Sequence, residues 1–308
     1  MGTRLADRAT SLATYRVHGV DLVVRANDPA VMARVDDTYG WFASDDRRRG
    51  PARRTVEVAL VRDTHGGTTI VAADGRTSRW RDEDEPLVGL FDAIVGGLIA
   101  ALSDIGILAI HAGVVALDGR AVLIAGRSGR GKTTVVLGLL RRGLDLLSDE
   151  LALVAQDDRT ILPYPRGLHI RRPALDLFAE LGFLADVAPY ELGGGSEWAV
   201  GPAALDRAFG TQVAAPARLS AIVLLDGDPD AGGRPAPSPV PGAIATMELL
   251  RGTPAAAWDF DGVIARLPRV VTGVACATLR SAGLDETVDA VIALLTGGPV
   301  GTSRESPE

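Results

Sequence analysis

The sequence predicts an α/β fold: a mixed sheet around a strand, a glycine-rich loop and a helix, preceded by a smaller α+β domain. Two observations lead there. Short apolar runs at residues 107–115, 121–125 and 144–148 have the length and composition of buried strands. Between the second and third lies Gly126-Arg127-Ser128-Gly129-Arg130-Gly131-Lys132-Thr133, with a helical pattern over residues 131–142. Strand, loop and helix in that order place an anion at a helix N-terminus. The expected division is an N-terminal α+β domain over 1–104, a nucleotide-binding domain over 105–298, and a disordered tail at 299–308.

In the first hundred residues, 17–24 reads as extended chain with a glycine turn, and 29–42 as a helix entered through Asn27-Asp28-Pro29. Residues 55–61 and 68–73 are β-rich, and His65-Gly66-Gly67 between them has hairpin chemistry. Arg47-Arg48-Arg49 and Arg53-Arg54 form a basic cluster, either a solvated loop or an anion or peptide site. Asp82-Glu83-Asp84-Glu85 leads into an apolar helix ending near Ser103, where acids in the first turn suit the helix dipole. Further strands are expected at 151–155, 160–162, 219–225 and 271–279, and further helices at 173–184, 246–251 and 284–295. Residues 228–242, rich in Pro and Gly, read as a surface loop.

Bulk composition narrows the function. Hydrophobic residues make up 47% of the 308-residue chain and aromatics 5%, so the core is mostly aliphatic. A net charge of −7 argues against nucleic acid and against an anionic membrane surface as partner. Cys276, the single cysteine, lies in an apolar run and reads as an inert buried thiol. The apolar stretch 86–102 carries Asp92 and several glycines and reads as too short to span a bilayer. No secretory pattern opens the chain, so a soluble, cytoplasmic protein is expected.

Lysine occurs once among 32 basic side chains, and it is Lys132 of the glycine loop. The octet fits G-x-x-x-x-G-K-[ST], whose backbone amides cradle phosphates while the hydroxyl holds Mg²⁺. An arginine fork does not fit where a compact ammonium must reach the phosphate oxygens, which explains a lysine at this one position. The candidate nucleotide-binding set is Gly126, Ser128, Gly129, Arg130, Gly131, Lys132, Thr133 and Thr134. Arg127 and Arg130 add positive potential.

Ser148-Asp149-Glu150 follows at the end of the next strand. One acid there can orient Mg²⁺ while the other takes a proton from an incoming hydroxyl; a solvated turn is the alternative. Strand side chains alternate, so one of the two faces the phosphates, and Asp149 is favoured. Upstream, His111 sits on a strand expected to run through the Asp118-Gly119 turn into the loop strand, which sets it near the nucleotide; a satisfied structural histidine is the plainer reading.

Residues 111–133, with Leu147-Ser148-Asp149-Glu150 and Arg166-Gly167-Leu168, resemble the HPr kinase/phosphorylase family. The resemblance is strong from 107 to 172 and weaker to about 295. It implies a phosphoenolpyruvate-carboxykinase-like P-loop fold and ATP/Mg²⁺-dependent phosphorylation of a hydroxyl. Lys132 and Thr133 would bind phosphates and metal, and Asp149 would be the catalytic acid/base or metal-orienting residue. Glu150 would take the place of a second aspartate, also as a metal residue, and His111 would position the catalytic acid or γ-phosphate. Where the family has a glutamate two residues before its Arg-Gly, this chain has Tyr164, so a second metal site and reverse phosphorolysis fall outside the likeness. The distinct N-terminal region resembles kinases of peptide natural-product (lasso-peptide-type) pathways, which implies serine of a precursor peptide as acceptor. A small hydroxyl metabolite, or a nucleotide-dependent regulator without phosphotransfer, are the alternatives. The family's habit of assembling implies a homo-oligomer.

Two segments keep double readings. Residues 193–198, Gly-Gly-Gly-Ser-Glu-Trp, fit a mobile loop over substrate or a connector. Arg171-Arg172 after His169 fit a phosphate or acidic-peptide contact, or a strand-end surface pair.

Overall fold

The structure, a computed structural model, describes residues 10–43, 51–81, 85–127, 129–192, 195–226, 237–257, 259–280 and 283–297. Arg47–49, Asp82-Glu83-Asp84, Ser128, Gly193-Gly194, most of the 228–242 segment and the tail lie outside the described residues. From the N-terminus come β1 (Ser11–Val17), β2 (Val20–Ala26), α1 (Pro29–Tyr39), β3 (Arg54–Arg62), β4 (Gly67–Val71), β5 (Thr77–Arg81) and α2 (Pro86–Asp104). There follow β6 (Leu108–His111), β7 (Gly113–Leu117), β8 (Arg120–Gly126), α3 (Lys132–Arg141), β9 (Asp145–Ser148), β10 (Leu151–Val154) and β11 (Thr160–Leu162). Next are β12 (Leu168–Arg171), α4 (Arg172–Leu175), β13 (Tyr190–Leu192), β14 (Gly195–Val200), α5 (Pro202–Phe209) and β15 (Ala217–Asp226). The last are β16 (Ser238–Pro239), α6 (Gly242–Arg251), α7 (Phe260–Val271), β17 (Ala275–Arg280) and α8 (Leu284–Thr296).

These elements form a mixed α/β fold in two compact units. One comprises residues 1–107 with 166–202, the other 108–165 with 203–308. The sequence had suggested a single boundary near residue 104; contacts instead return 166–202 to the N-terminal unit. Gly167 N–H donates to Thr38 O at 3.0 Å, and Tyr190 Oη–H donates to Asp37 at 3.0 Å. A Cβ at Gly167 would lie 3.1 Å from Asp37 O, so glycine lets β12 start against the end of α1.

The N-terminal unit has a five-stranded sheet, β1-β2-β3-β4-β5, and a three-stranded one, β12-β14-β13. Asp28 caps α1 by accepting from Ala30 N at 2.8 Å, as Asn-Asp-Pro implied. Asp63 holds the Gly66 hairpin by accepting from His65 N and Gly67 N, and these bonds, Gly67's first, lower its carboxyl below the usual range. Helix α2 runs to Asp104 and so exceeds the stretch read from sequence. At 19 residues it is long and apolar enough to cross a membrane by length and composition alone. Here Leu90, Ile94, Leu98 and Leu102 are fully buried, and the helix packs on β2, β3 and β4.

The other unit is built on one mixed sheet, β6-β10-β11-β15-β8-β7-β9, with β17 beside β15 and β16 beside β17. Strand β15 runs parallel to both β8 and β17, and these strands are buried runs of Ala, Val, Ile and Leu. Asp118 (φ 50°) and Gly119 (φ 74°) make the tight β7–β8 hairpin that the dipeptide announced. Helix α3 packs on α8 through Gly138, where a Cβ would stand 2.7 Å from Val288 Cγ2.

Three expectations change. Residues 107–115 form two strands rather than one. His111 N–H donates to Gly252 O and Ala112 N–H to Glu150 O, so the ladder changes partner at Ala112: β6 pairs with β10, β7 with β8 and β9. The strand expected over 271–279 starts only at Ala275. Before it lies the unexpected helix α7, capped by Asp259 accepting from Gly262 N at 3.1 Å and burying Val263, Leu267, Val270 and Val271. Residues 173–184 are not one helix, but the short α4 and a 3-10 segment, Ala179–Asp186, that buries Leu181 and Leu184.

Candidate functional site

Strand β8 ends at Gly126 beside β15, where a Cβ would meet Leu225 O at 3.0 Å. Only glycine permits that approach without displacing backbone. Gly129 (φ 78°) and Gly131 (φ 81°) then take left-handed conformations that suit glycine and turn the chain into α3. Gly131 is the N-cap, no side chain caps the helix, and its first turn holds no acid. The cap residue itself therefore offers no side chain to the leading amides of the helix. Arg127 is exposed at this loop, while Arg130, Thr133 and Thr134 are half-buried.

Lys132 is buried and donates through Nζ to Gly126 O at 2.8 Å and Arg127 O at 3.4 Å. The loop carbonyls thus hold the ammonium beneath the turn. Burial pushes its pKa below the usual lysine range, with the charges of Asp149 and Glu150 opposing.

Across from the helix start, Thr133 Oγ1 donates to Asp149 Oδ2 at 2.8 Å. This bond joins the first turn of α3 to the end of β9. Ser148, fully buried, shapes the turn by accepting at Oγ from Leu151 N at 3.1 Å and Glu150 N at 3.3 Å. Gly113 leaves the space: a Cβ there would lie 2.6 Å from Val136 Cγ2 and 3.7 Å from Asp149 Oδ1. Neither residue was singled out from sequence. A serine before two acids at a strand end was the available signal for Ser148; for Gly113 there was none, since its constraint is a tertiary contact.

Lys132, Thr133, Asp149 and Glu150 are thus brought together. Gly126, Gly129, Arg130, Gly131 and Thr134 lie on the loop and helix start, and Ser128 is outside the described residues. His111 is on β6, opposite Leu151 in the β10 register, rather than on the hairpin strand leading into the loop. Its proximity to the acids comes from the β9–β10 turn. Tyr164 is fully buried, with its amide donating to Leu147 O at 2.7 Å. A core ring stands where the resembled family has a carboxylate.

A solved structure similar to the chain is the Hpr(Ser) kinase/phosphatase from Coxiella burnetii. Identity is 15%, the match covers 62% of this chain and 99% of that one, and the TM-score is 0.31. A likeness at that score assigns neither fold nor activity here. No protein-family model matches the chain, and no curated protein does.

Residues 195–198 form part of β14 rather than a loop over substrate. Trp198 is buried and donates Nε1–H to Val187 O at 2.8 Å. Glu197, also buried, accepts from Arg171 Nε at 2.7 Å and pairs with His169 Nδ1 at 3.2 Å; Arg172 pairs instead with Asp176 at 3.3 Å. The hydrogen bond from His169, then Arg171, hold the Glu197 carboxyl below the usual range. A depressed folded pKa stabilises the fold above the ordinary carboxylate value of about 4.3, and that contribution is lost as pH falls through the folded value. Glu197→Gln is accordingly expected to lose roughly 1–3 kcal/mol near neutral pH. In thermal unfolding followed by circular dichroism, its deficit should shrink as pH drops toward about 3. A deficit independent of pH would contradict the ionised pairing.

Proposed function

We propose that this chain binds a nucleoside triphosphate at its 126–134 loop and, with Mg²⁺, transfers the terminal phosphoryl group to a hydroxyl. The unit carrying the loop is read as phosphoenolpyruvate-carboxykinase-like, and the activity as HPr-kinase-like. The observation that carries this reading is the Thr133–Asp149 hydrogen bond beside a glycine-capped helix start that holds the chain's sole lysine. An anion site alone needs no acid nearby; an acid tied to the hydroxyl of the first turn is the arrangement that holds Mg²⁺ against a nucleotide's phosphates, on which transfer to a hydroxyl would draw.

Residue chemistry supplies the parts. The α3 amides and Lys132 neutralise the β- and γ-phosphates, with the ammonium leaving the Gly126 and Arg127 carbonyls to reach them. Among the described residues no group of three or more His, Cys, Asp or Glu side chains is gathered for a metal. Mg²⁺ does not need such a cage, since it takes one or two carboxylates plus phosphates and water. The hard oxygens of Thr133 and Asp149, with Glu150 next in sequence, fit it. When bound, it supplies charge neutralisation across the transferring phosphate.

The acceptor oxygen forms its bond to the γ-phosphorus as the bond to the β–γ bridging oxygen breaks, and the nucleoside diphosphate leaves with that electron pair. Asp149 orients the incoming hydroxyl and accepts its proton. His111, opposite Leu151, is assigned to positioning Asp149. Serine of a peptide or small protein is the proposed acceptor, in line with the sequence resemblance.

The test is incubation of the full chain with γ-labelled ATP, Mg²⁺ and two acceptor panels, serine-bearing peptides and small hydroxyl metabolites, read by mass spectrometry. Transfer to peptide is expected. Label on metabolites alone would move the substrate class. Nucleotide binding with no transfer to either panel would leave a regulatory module and overturn the kinase reading.

A further inference from the structure

At the turn between β1 and β2 the N-terminal unit has a surface cavity of about 390 Å³ that the nucleotide reading does not use. Local chemistry builds one side of it. Val17 pairs with Val20, so His18 and Gly19 are the two residues of a tight hairpin turn, both left-handed (φ 46° and 92°). Gly19 O accepts from Arg53 N at 2.8 Å, and a Cβ at Gly19 would stand 3.7 Å from Arg53 Cδ. The stem of Arg53 thus lies along the turn, and Arg53 lines the cavity with His18 and Gly19.

The rest of the wall is apolar. After α1, the 3-10 turn Gly40–Phe42 sets Trp41 and Phe42 edge to face, with 5.0 Å between centroids and 85° between planes. Phe42 is buried, whereas Trp41 is 44% exposed, which leaves its indole open to a second ring. Both line the cavity, together with Pro51.

The two arginines at this cavity differ in how their charge is met. Arg16 donates through Nε and Nη2 to the two carboxylate oxygens of Asp21, the second bond at 3.0 Å, so its charge is answered inside the hairpin. Arg53 is exposed, and among the described residues no carboxylate pairs with it. The cavity therefore offers one uncompensated guanidinium beside an exposed aromatic face. A phosphate, with close to two negative charges, would call on the cation that Asp21 already holds. A carboxylate needs only one, and its two oxygens match the planar fork.

We infer that this cavity binds a small aryl carboxylate, its carboxylate on the Arg53 guanidinium and its ring against Trp41. The volume falls within the roughly 300–1,000 Å³ of small-molecule sites. The inference is independent of nucleotide binding.

The experiment titrates the full chain with cinnamate and with cinnamamide, which keeps the flat body and loses the charge, and follows binding by saturation-transfer NMR. Cinnamate is expected to bind about fivefold more tightly, a small margin because water screens an exposed ion pair. Arg53→Gln keeps the backbone bond to Gly19 and should bring the two ligands within about twofold, by weakening cinnamate alone. Trp41→Ala should weaken both by about fivefold or more, since both lose the ring contact. Equal affinities for the wild-type chain, absence of binding at millimolar concentration, a preference surviving in Arg53→Gln, or unchanged affinities in Trp41→Ala would each overturn the assignment. The wild-type comparison decides even where a variant fails to fold.

Discussion

Lys132→Met is expected to weaken nucleotide binding by about a hundredfold or more, equivalent to about 2.7 kcal/mol, while leaving the fold intact. The loss is that of a charge-assisted contact to phosphate, which the neutral loop amides cannot replace. Lys132→Arg should not restore binding, because the planar fork does not fit the space beneath the turn where Nζ meets Gly126 O at 2.8 Å. Stability should move differently. Burial depresses the folded pKa of Lys132, so between that value and the unfolded value of about 10.4 the unfolded chain holds more protons. At neutral pH the buried ammonium is then a cost to the fold, offset in part by its bonds to Gly126 and Arg127. Methionine removes that cost, and the melting temperature is expected to hold or rise. Calorimetry with ATP and thermal unfolding of the same variant check both parts. A variant that binds ATP like the wild type would end the phosphate role of Lys132.

Asp149→Asn is expected to reduce phosphotransfer by roughly 10²–10⁴-fold, the range for losing a positioned general base. Asparagine is nearly isosteric and still accepts from Thr133 Oγ1, so the contact between α3 and the end of β9 survives. Nucleotide affinity should therefore change far less than turnover does. Single-turnover transfer beside ATP titration separates the effects. Transfer near the wild-type rate would remove Asp149 from the mechanism; a matching collapse of affinity would make it chiefly a metal-holding residue.

These expectations draw on features legible in the chain to different degrees. The glycine loop, the acids after the next strand, the Asp118-Gly119 hairpin and the Asp-Pro start of α1 were all readable. Each depends on chemistry within a few consecutive residues: a glycine's φ, a proline's ring, an acid two residues from an amide. The contact between Thr133 and Asp149 was expected only as proximity, and the structure supplied the bond. Helix α7 was passed over although Asp259 signals its start, since the apolar residues around Val271 read equally as strand or helix.

What the sequence by itself determined is the local apparatus: one lysine on a glycine turn at a helix start, with two acids at the end of the strand that follows. Tertiary structure decided the rest. It divided 107–115 into two strands at Ala112, because the amides of His111 and Ala112 bond to Gly252 and Glu150, far along the chain. It folded 195–198 into a strand that buries Trp198, and it set Gly113 where a side chain would crowd Val136. It also returned 166–202 to the N-terminal unit. The physical reason is the same in each case: strand partners and close backbone approaches depend on residues remote in sequence, and no local pattern encodes which of them will meet.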